Sequence, residues 1–378
     1  MIEFDGLCTP VPLEIDHDLS VASIEGLIKP LPKHAGRLQL EYRDTRSKFA
    51  SSGTPTGSGG ADIYSIGGAW HWQTTDWLSM IAAGRLDHYA MFSNSEPRGF
   101  SVEDYDHTLT EPSYNLGSVA KVSANDSVRL AFGRGVLLPN HIDLFYSVPI
   151  PANAFGLTRV SGDPRIDPTK NLNAELGWNH RFETIDANFD ASVFWQKLSD
   201  VKSVSPRFSD LNLVVVGSEV INLPRNVGHT TIVGSELALE GKLTEDWSYR
   251  LGYTLLSVDD DFEVNQTALA YAVDLEDSTP THTVDIGLGY GNGPFEGDLA
   301  FRWQSKRTFL TPNNDPATFN MITKDVDNVV DLTGRLGYRM TDQVDLPLIG
   351  TNILGGTDWG PGVDIDSRIL LSLRIAFD

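Results

Sequence analysis

The C-terminal stretch 367–378 reads SRILLSLRIAFD, and its pattern decides the fold. Ile369, Leu371, Leu373, Ile375 and Phe377 fall on one side, and Arg368, Leu370, Ser372, Arg374 and Ala376 on the other. A repeat of two residues is that of a β-strand, whose side chains point alternately to opposite faces. One face here is wholly apolar and the other is mixed and charged. Working upstream, 330–340 (VDLTGRLGYRM) sets Val330, Leu332, Leu336, Tyr338 and Met340 against Asp331, Thr333, Arg335 and Arg339. In 247–255 (WSYRLGYTL), Trp247, Tyr249, Leu251, Tyr253 and Leu255 oppose Ser248, Arg250, Gly252 and Thr254. The same alternation runs through 284–290, 299–303 and 172–182.

Aromatic residues cluster near the strand ends on the apolar side: Trp72, Trp178, Trp247, Tyr290, Trp303 and Tyr338. Short turns near 73–76, 123–126, 183–186, 244–246, 291–297 and 341–343 alternate with long loops near 47–61, 90–112, 137–170, 199–230, 258–280, 305–328 and 355–366. Aromatic girdles with short turns at one end and long loops at the other are the pattern of a membrane β-barrel. A soluble sandwich has no reason to alternate its loop lengths in this way. The expected fold is therefore all-β, an antiparallel transmembrane barrel wall of about fifteen strands. They are placed near 20–28, 36–46, 61–72, 77–89, 113–122, 127–136, 171–182, 187–198, 231–243, 247–257, 281–290, 298–305, 329–340, 344–354 and 367–377.

Composition agrees. The chain has 378 residues, of which 40% are hydrophobic, and its mean hydropathy is −0.18. It contains no run of the roughly 20 apolar residues that a membrane helix needs. Alternating strands leave mean hydropathy unremarkable, so a barrel stays open. A net charge of −22 argues against nucleic acid as a partner, because phosphate binding needs a basic face. Cys8 is the single cysteine, so disulfides within the chain and thiolate metal clusters are excluded.

The first twenty residues, MIEFDGLCTPVPLEIDHDLS, have neither the basic nor the apolar region of a secretory signal. An odd strand number also does not close an ordinary bacterial barrel. Both lead to the expectation that residues 1–378 are one partial barrel domain, with N-terminal strands missing.

Several segments resemble the TonB-dependent receptors. The run 127–146, SVRLAFGRGVLLPNHIDLFY, is similar to that family's mid-barrel strand and the apolar-aromatic stretch after it. The run 163–178, DPRIDPTKNLNAELGW, resembles the family's entry into the next strand, with Thr169 where Glu is usual. Further similar segments follow in order: 191–201 (ASVFWQKLSDV), 226–258 (NVGHTTIV…YTLLSV), 279–290 (TPTHTVDIGLGY) and TNIL at 351–354. The resemblance spans about 61–378 and departs at the end, where Asp378 follows Phe377. It implies a 22-stranded barrel around a plug, in the outer membrane of a Gram-negative bacterium. It implies energised uptake of a scarce nutrient, such as an iron-siderophore complex or another metal chelate. The implied partners are outer-membrane lipid, the small ligand, and a TonB complex reached only through an N-terminal region not seen here. Two other functions are weighed: a complete passive porin, and a soluble β-rich binding protein. The soluble alternative requires Leu371, Tyr253 and Trp303 to be buried.

No catalytic constellation is present: no G-x-S-x-G, phosphate-binding loop or H-E-x-x-H. No enzyme activity, cofactor or resident metal is expected. Acidic groups at Glu103, Asp104 and Asp106, at Asp259–Asp261 with Glu263, and at Asp274, Glu276 and Asp277 fall in long loops. Their spacing is not that of a calcium loop, and solvated surface is the simpler reading. The histidines are scattered without ligand spacing. On the charged faces, Arg181, Arg250, Arg302, Arg335, Arg339, Arg374, Glu175, Glu236 and Glu240 are expected to form a wall network. Loop 137–170 is long and apolar in part. It either folds inward on its own cluster or offers aromatic groups to a ligand; the residues for the second role are Phe145, Tyr146 and Phe155.

Overall fold

The computed structural model describes residues 13–376 apart from 52, 97–98, 150–158, 204–212, 263–273, 313–320, 356 and 359–363. Phe155, Glu263 and Phe377, singled out above, lie outside the described residues. One antiparallel sheet dominates. Its strands are β1 (Leu13–Leu31), β2 (His34–Ser51), β3 (Thr54–Gln73), β4 (Leu78–Ser93) and β5 (Thr108–Lys121). There follow β6 (Asp126–Leu137), β7 (Thr169–Phe182), β8 (Ala187–Ser203), β9 (Arg225–Lys242) and β10 (Trp247–Phe262). The last five are β11 (His282–Asn292), β12 (Phe295–Gln304), β13 (Val329–Thr341), β14 (Val344–Thr351) and β15 (Arg368–Leu371). Each pairs with the next in chain order, a pure meander. All fifteen correspond to strands expected from the two-residue period.

The register keeps the two faces separate across the sheet. Leu40 pairs with Ile66, Ile66 with Leu86, and further along Leu251 pairs with Leu239 and Ile286. On the opposite face Arg129 pairs with Gly177, Arg250 with Glu240, and Arg302 with Asp285 and Asp331. Register shifts are confined to strand ends, at Ile28/Leu31, Phe49/Ala50, Ser199–Lys202 and Arg339/Thr341, so the two faces stay separate along the strands between them.

Among the described residues nothing covers the apolar face. Leu371 is 63% exposed, Leu251 42% and Leu130 55%, while Tyr253 and Trp303 are only half-buried. Each such side chain left in water forgoes about 1.5–3 kcal/mol of burial. Repeated over dozens of positions, that loss is incompatible with a water-facing surface, and hydrocarbon is the solvent this face suits. Aromatic pairs mark its edge at the short turns: Trp178 with Phe189, Trp247 with Tyr290, and Phe295 with Tyr338, at 5.6, 4.8 and 5.0 Å between rings. Near the other end of β2–β3, Tyr42 and Tyr64 pair at 5.3 Å, and the next outward row is Asp44 and Asp62.

Two expectations about boundaries are corrected. The stretch 47–61 is not a long loop: β2 continues to Ser51 and β3 starts at Thr54. Its Ser, Thr, Pro and Gly content reads as loop, yet the glycines serve close packing, as shown below. The last strand is also interrupted. After Leu371 the ladder lapses, and Arg374–Ile375 rejoins β14 through Val344 and Asp345. The lapse lies opposite Pro347, which has no N–H to donate. The Pro347 carbonyl still accepts from the Ser372 amide at 3.0 Å.

Beyond the main sheet, the long loops carry small elements. Ser147–Pro149, Arg159–Ser161, Leu213–Val216 and Glu219–Asn222 form a four-stranded patch. Arg307–Pro312 pairs with Met321–Val326 in the β12–β13 connection.

Candidate functional site

Along most of its length the polar face is a mesh of charges. Arg85 reaches Glu41 and Asp87 at 2.8 and 2.7 Å. Arg129 bridges Glu175 and Asp190 at 3.0 and 2.9 Å. Arg335 holds Glu296 and Asp298, Arg339 shares Glu296, and Arg302 pairs with Asp285. Arg250 pairs with Glu240. Arg181 joins Asp186 in the turn rather than a partner across the wall.

Toward the long loops of β2–β4 this face turns apolar, with Phe49, Ile63, Tyr89 and Met91. The described parts of the connection between β6 and β7, 138–149 and 159–168, fold onto that area. It begins with a short helix, α1 (His141–Phe145), capped by Asn140, whose side-chain oxygen accepts from the Asp143 amide at 2.9 Å. Phe145, Leu144 and Ile166 then pack with Phe49 and Tyr105 into the one buried hydrophobic cluster among the described residues. The Tyr105 hydroxyl donates to the Leu144 carbonyl at 2.9 Å, and burial pushes its ionisation upward.

The fit explains the glycine-rich start of β3. A Cβ on Gly57 would lie 1.8 Å from the Phe145 carbonyl oxygen, and one on Gly59 would lie 2.4 Å from the Phe145 ring. No side chain can stand between β3 and this loop, so glycine is required there.

Polar contacts fix the rest. Lys202 of β8 pairs with the buried carboxylate of Asp143. Ser47 Oγ lies 2.8 Å from His17 Nδ1 and 2.7 Å from His141 Nδ1, joining β1, β2 and α1. Burial, and then the neighbouring His17, hold His141 down at about 4, so it is neutral at pH 7. Asp104 stays readily ionised because the Ser101 amide and hydroxyl donate to it.

Beneath the loop lies a cavity of about 440 Å³. Its wall includes Tyr89, Met91, His107, His141, Ile166 and Arg165. Its size and its mix of apolar wall with a few polar groups suit a small ligand. Arg165 also pairs with Asp163 at 2.8 Å and lies over the Phe100 ring at 5.0 Å.

The residues proposed from sequence are placed as follows. Phe145 is fully enclosed, backs the cavity wall and presents no surface. Tyr146 is half-buried, with its ring edge-on to Phe49 at 6.1 Å. Sequence reasoning missed Met91, His107, His141 and Arg165, which are brought together from positions far apart in the chain. Among the described residues no group of three or more His, Cys, Asp or Glu is placed to hold a metal ion.

An alternating sheet with a bare apolar belt and a charged reverse side is the anatomy of an outer-membrane-type β-barrel wall. The family model for the TonB dependent receptor-like β-barrel matches residues 11–353. The chain belongs to that family. Among solved structures it is similar to the siderophore receptor PirA from Acinetobacter baumannii, with a TM-score of 0.71 at 13% identity, covering 97% of this chain and 55% of that one. It is similar to the copper transporter OprC, with a TM-score of 0.71 at 13% identity, covering 97% and 57%. It is also similar to the ferripyoverdine receptor of the outer membrane of Pseudomonas aeruginosa, with a TM-score of 0.68 at 13% identity, covering 97% and 49%. The chain thus spans about half the length of these structures. No curated protein sequence matches it. In this TonB-dependent barrel the charged face is the lumen side, and the described parts of loop 138–168 cap the lumen wall of β1–β3.

Proposed function

We propose that this chain forms wall and vestibule of an outer-membrane receptor for energised uptake of a scarce nutrient, such as an iron-siderophore complex or another metal chelate. The observation that carries the reading is the cavity under loop 138–168. It opens on the lumen side, at the long-loop end, where an incoming solute first meets the barrel. Its apolar wall offers van der Waals contact, while Arg165 supplies a cation suited to an anionic chelate. Tyr146, and Phe155 on the same loop, are the aromatic groups proposed to contact the ligand. Energy from a TonB complex would arrive through a segment other than the wall strands.

Titration of the detergent-solubilised protein with a panel of ferric chelates, followed by intrinsic fluorescence, tests the proposal. One chelate class should saturate the signal. Met91→Trp, which fills the cavity, should weaken that binding about tenfold, equivalent to ~1.4 kcal/mol. If no chelate saturates, and vesicles carrying the protein instead swell in small neutral sugars, the porin reading takes its place.

A further inference from the structure

The consecutive residues Pro164–Pro168 all line the cavity under the cap and make one of its walls. Prolines at both ends deprive this wall of two backbone donors, so no regular ladder can hold it. Three N–H groups are left. The Arg165 amide donates to the Asp163 carboxylate at 2.9 Å, and the Ile166 amide to the Asp163 carbonyl at 3.4 Å. Both bonds stay inside the turn that Asp163 begins. The Asp167 amide leaves the turn and donates to Oδ1 of Asn226, on β9, at 2.8 Å.

Asn226 returns the contact. Its Nδ2 donates to the Asp167 carbonyl at 2.9 Å and to the Asp200 carbonyl of β8 at 2.7 Å. A side-chain amide has one oxygen acceptor and two donor hydrogens, and each is used here. Asp200 offers its carbonyl because the chain bulges at this point. The β8–β9 register shifts on either side of Val201, and Asp200 has a left-handed φ of 56°. Gly228 completes the crossing: its φ is +140°, and a Cβ there would lie 2.2 Å from the Asp261 carbonyl oxygen. The segments 163–169 and 226–228, far apart in the chain, are two halves of one joint.

We infer that Asn226 is a positioning residue for the candidate site, acting through Asp167 to hold Arg165 where an anionic ligand meets it. The inference rests on the proposed uptake of an anionic chelate. Arg165 is the one arginine or lysine on the cavity wall, and its side chain is 65% exposed, so a ligand can reach it. At its start the wall segment is tied to the cap helix, where the Asp163 amide donates to the Asp143 carbonyl at 2.8 Å. At its end Asn226 ties it to the barrel strands. Without that tie the end of the segment is free to shift and to carry Arg165 with it. Aspartate at 226 lacks both donors, and glutamine sets them one carbon too far.

Isothermal titration of the detergent-solubilised protein tests this with two probes: ferric tris(catecholate), which is anionic, and ferric tris(acetohydroxamate), which is uncharged. Asn226→Ala should weaken the anionic chelate about tenfold, the scale of one or two lost hydrogen bonds, and leave the uncharged one nearly unchanged. Asn226→Asp should do the same. In an Arg165→Gln background, Asn226→Ala should cost almost nothing more, because both changes act through one cation. Hydrogen exchange at 141–149 should stay slow in both Asn226 variants. Equal losses for the two probes, additive losses in the double variant, wild-type affinity in both Asn226 variants, or fast exchange at 141–149 overturns the inference and leaves the uptake reading intact. Failure of ferric tris(catecholate) to bind the wild-type protein also overturns the inference. Failure of every chelate in the wider panel overturns the uptake reading as well.

Discussion

The wall strands and the loop that caps them are stabilised by different surroundings. In the wall, Leu130, Leu251 and Leu371 remain 55, 42 and 63% exposed, and the opposite face is charged. Among the described residues nothing covers those leucines. In the cap, Phe145, Tyr105 and Phe49 are 0, 1 and 2% exposed and touch one another. The cap therefore has an ordinary protein core, and the wall has its core outside itself, in lipid. The two regions should fail independently, under different insults.

Phe145→Ala gives the largest separation. It should cost about 3–5 kcal/mol of local stability, as large-to-small changes in enclosed aromatic sites do. Hydrogen exchange should accelerate in 138–168 and leave β9–β13 protected; equal acceleration in both would mean that cap and wall are one cooperative unit. The converse change is Leu251→Arg, which sets a charge on the lipid side near mid-strand. It should cost about 2–4 kcal/mol in unfolding from bilayers, without altering exchange in the cap. A neutral result there would place this face against something other than hydrocarbon.

The most gradual effect is one of pH. Burial, and then His17, hold His141 down at about 4 in the folded chain, below the ordinary histidine value of about 6.5. The unfolded cap therefore binds more protons between those values, and folding stability falls as pH drops through them. Above 6.5 the contribution is fully present. Limited proteolysis of the cap should quicken between pH 6.5 and 4, and His141→Gln should flatten that dependence.

The contrast also explains what could be read from sequence. Wall strands follow from local alternation, and Tyr249, Leu251 and Tyr253 announce their face within five residues. The caps and contacts do not. Ser47 meets His141 across 94 positions, and Lys202 meets Asp143 across 59. The composition of each segment is silent about such partners. The misread segment 47–61 shows why: its glycines look like a loop, but their small size serves a neighbour that arrives from 145. The aromatic run of 137–170 was legible as distinctive, yet whether an aromatic faces solvent or core depends on packing that one segment cannot encode. Phe145 and Tyr146, adjacent in sequence, end with different surroundings for that reason.

The register, which shifts only at strand ends, makes strand parity along the meander an inherited property. Removing one residue inside β9 would hand each later strand the opposite assignment, steering Arg250, Arg302 and Arg335 toward oil and Leu251 and Trp303 toward water. Removing two would only shorten the wall. Tolerance to insertions and deletions in such a chain should therefore follow even and odd counts within strands, and be indifferent to them in the loops.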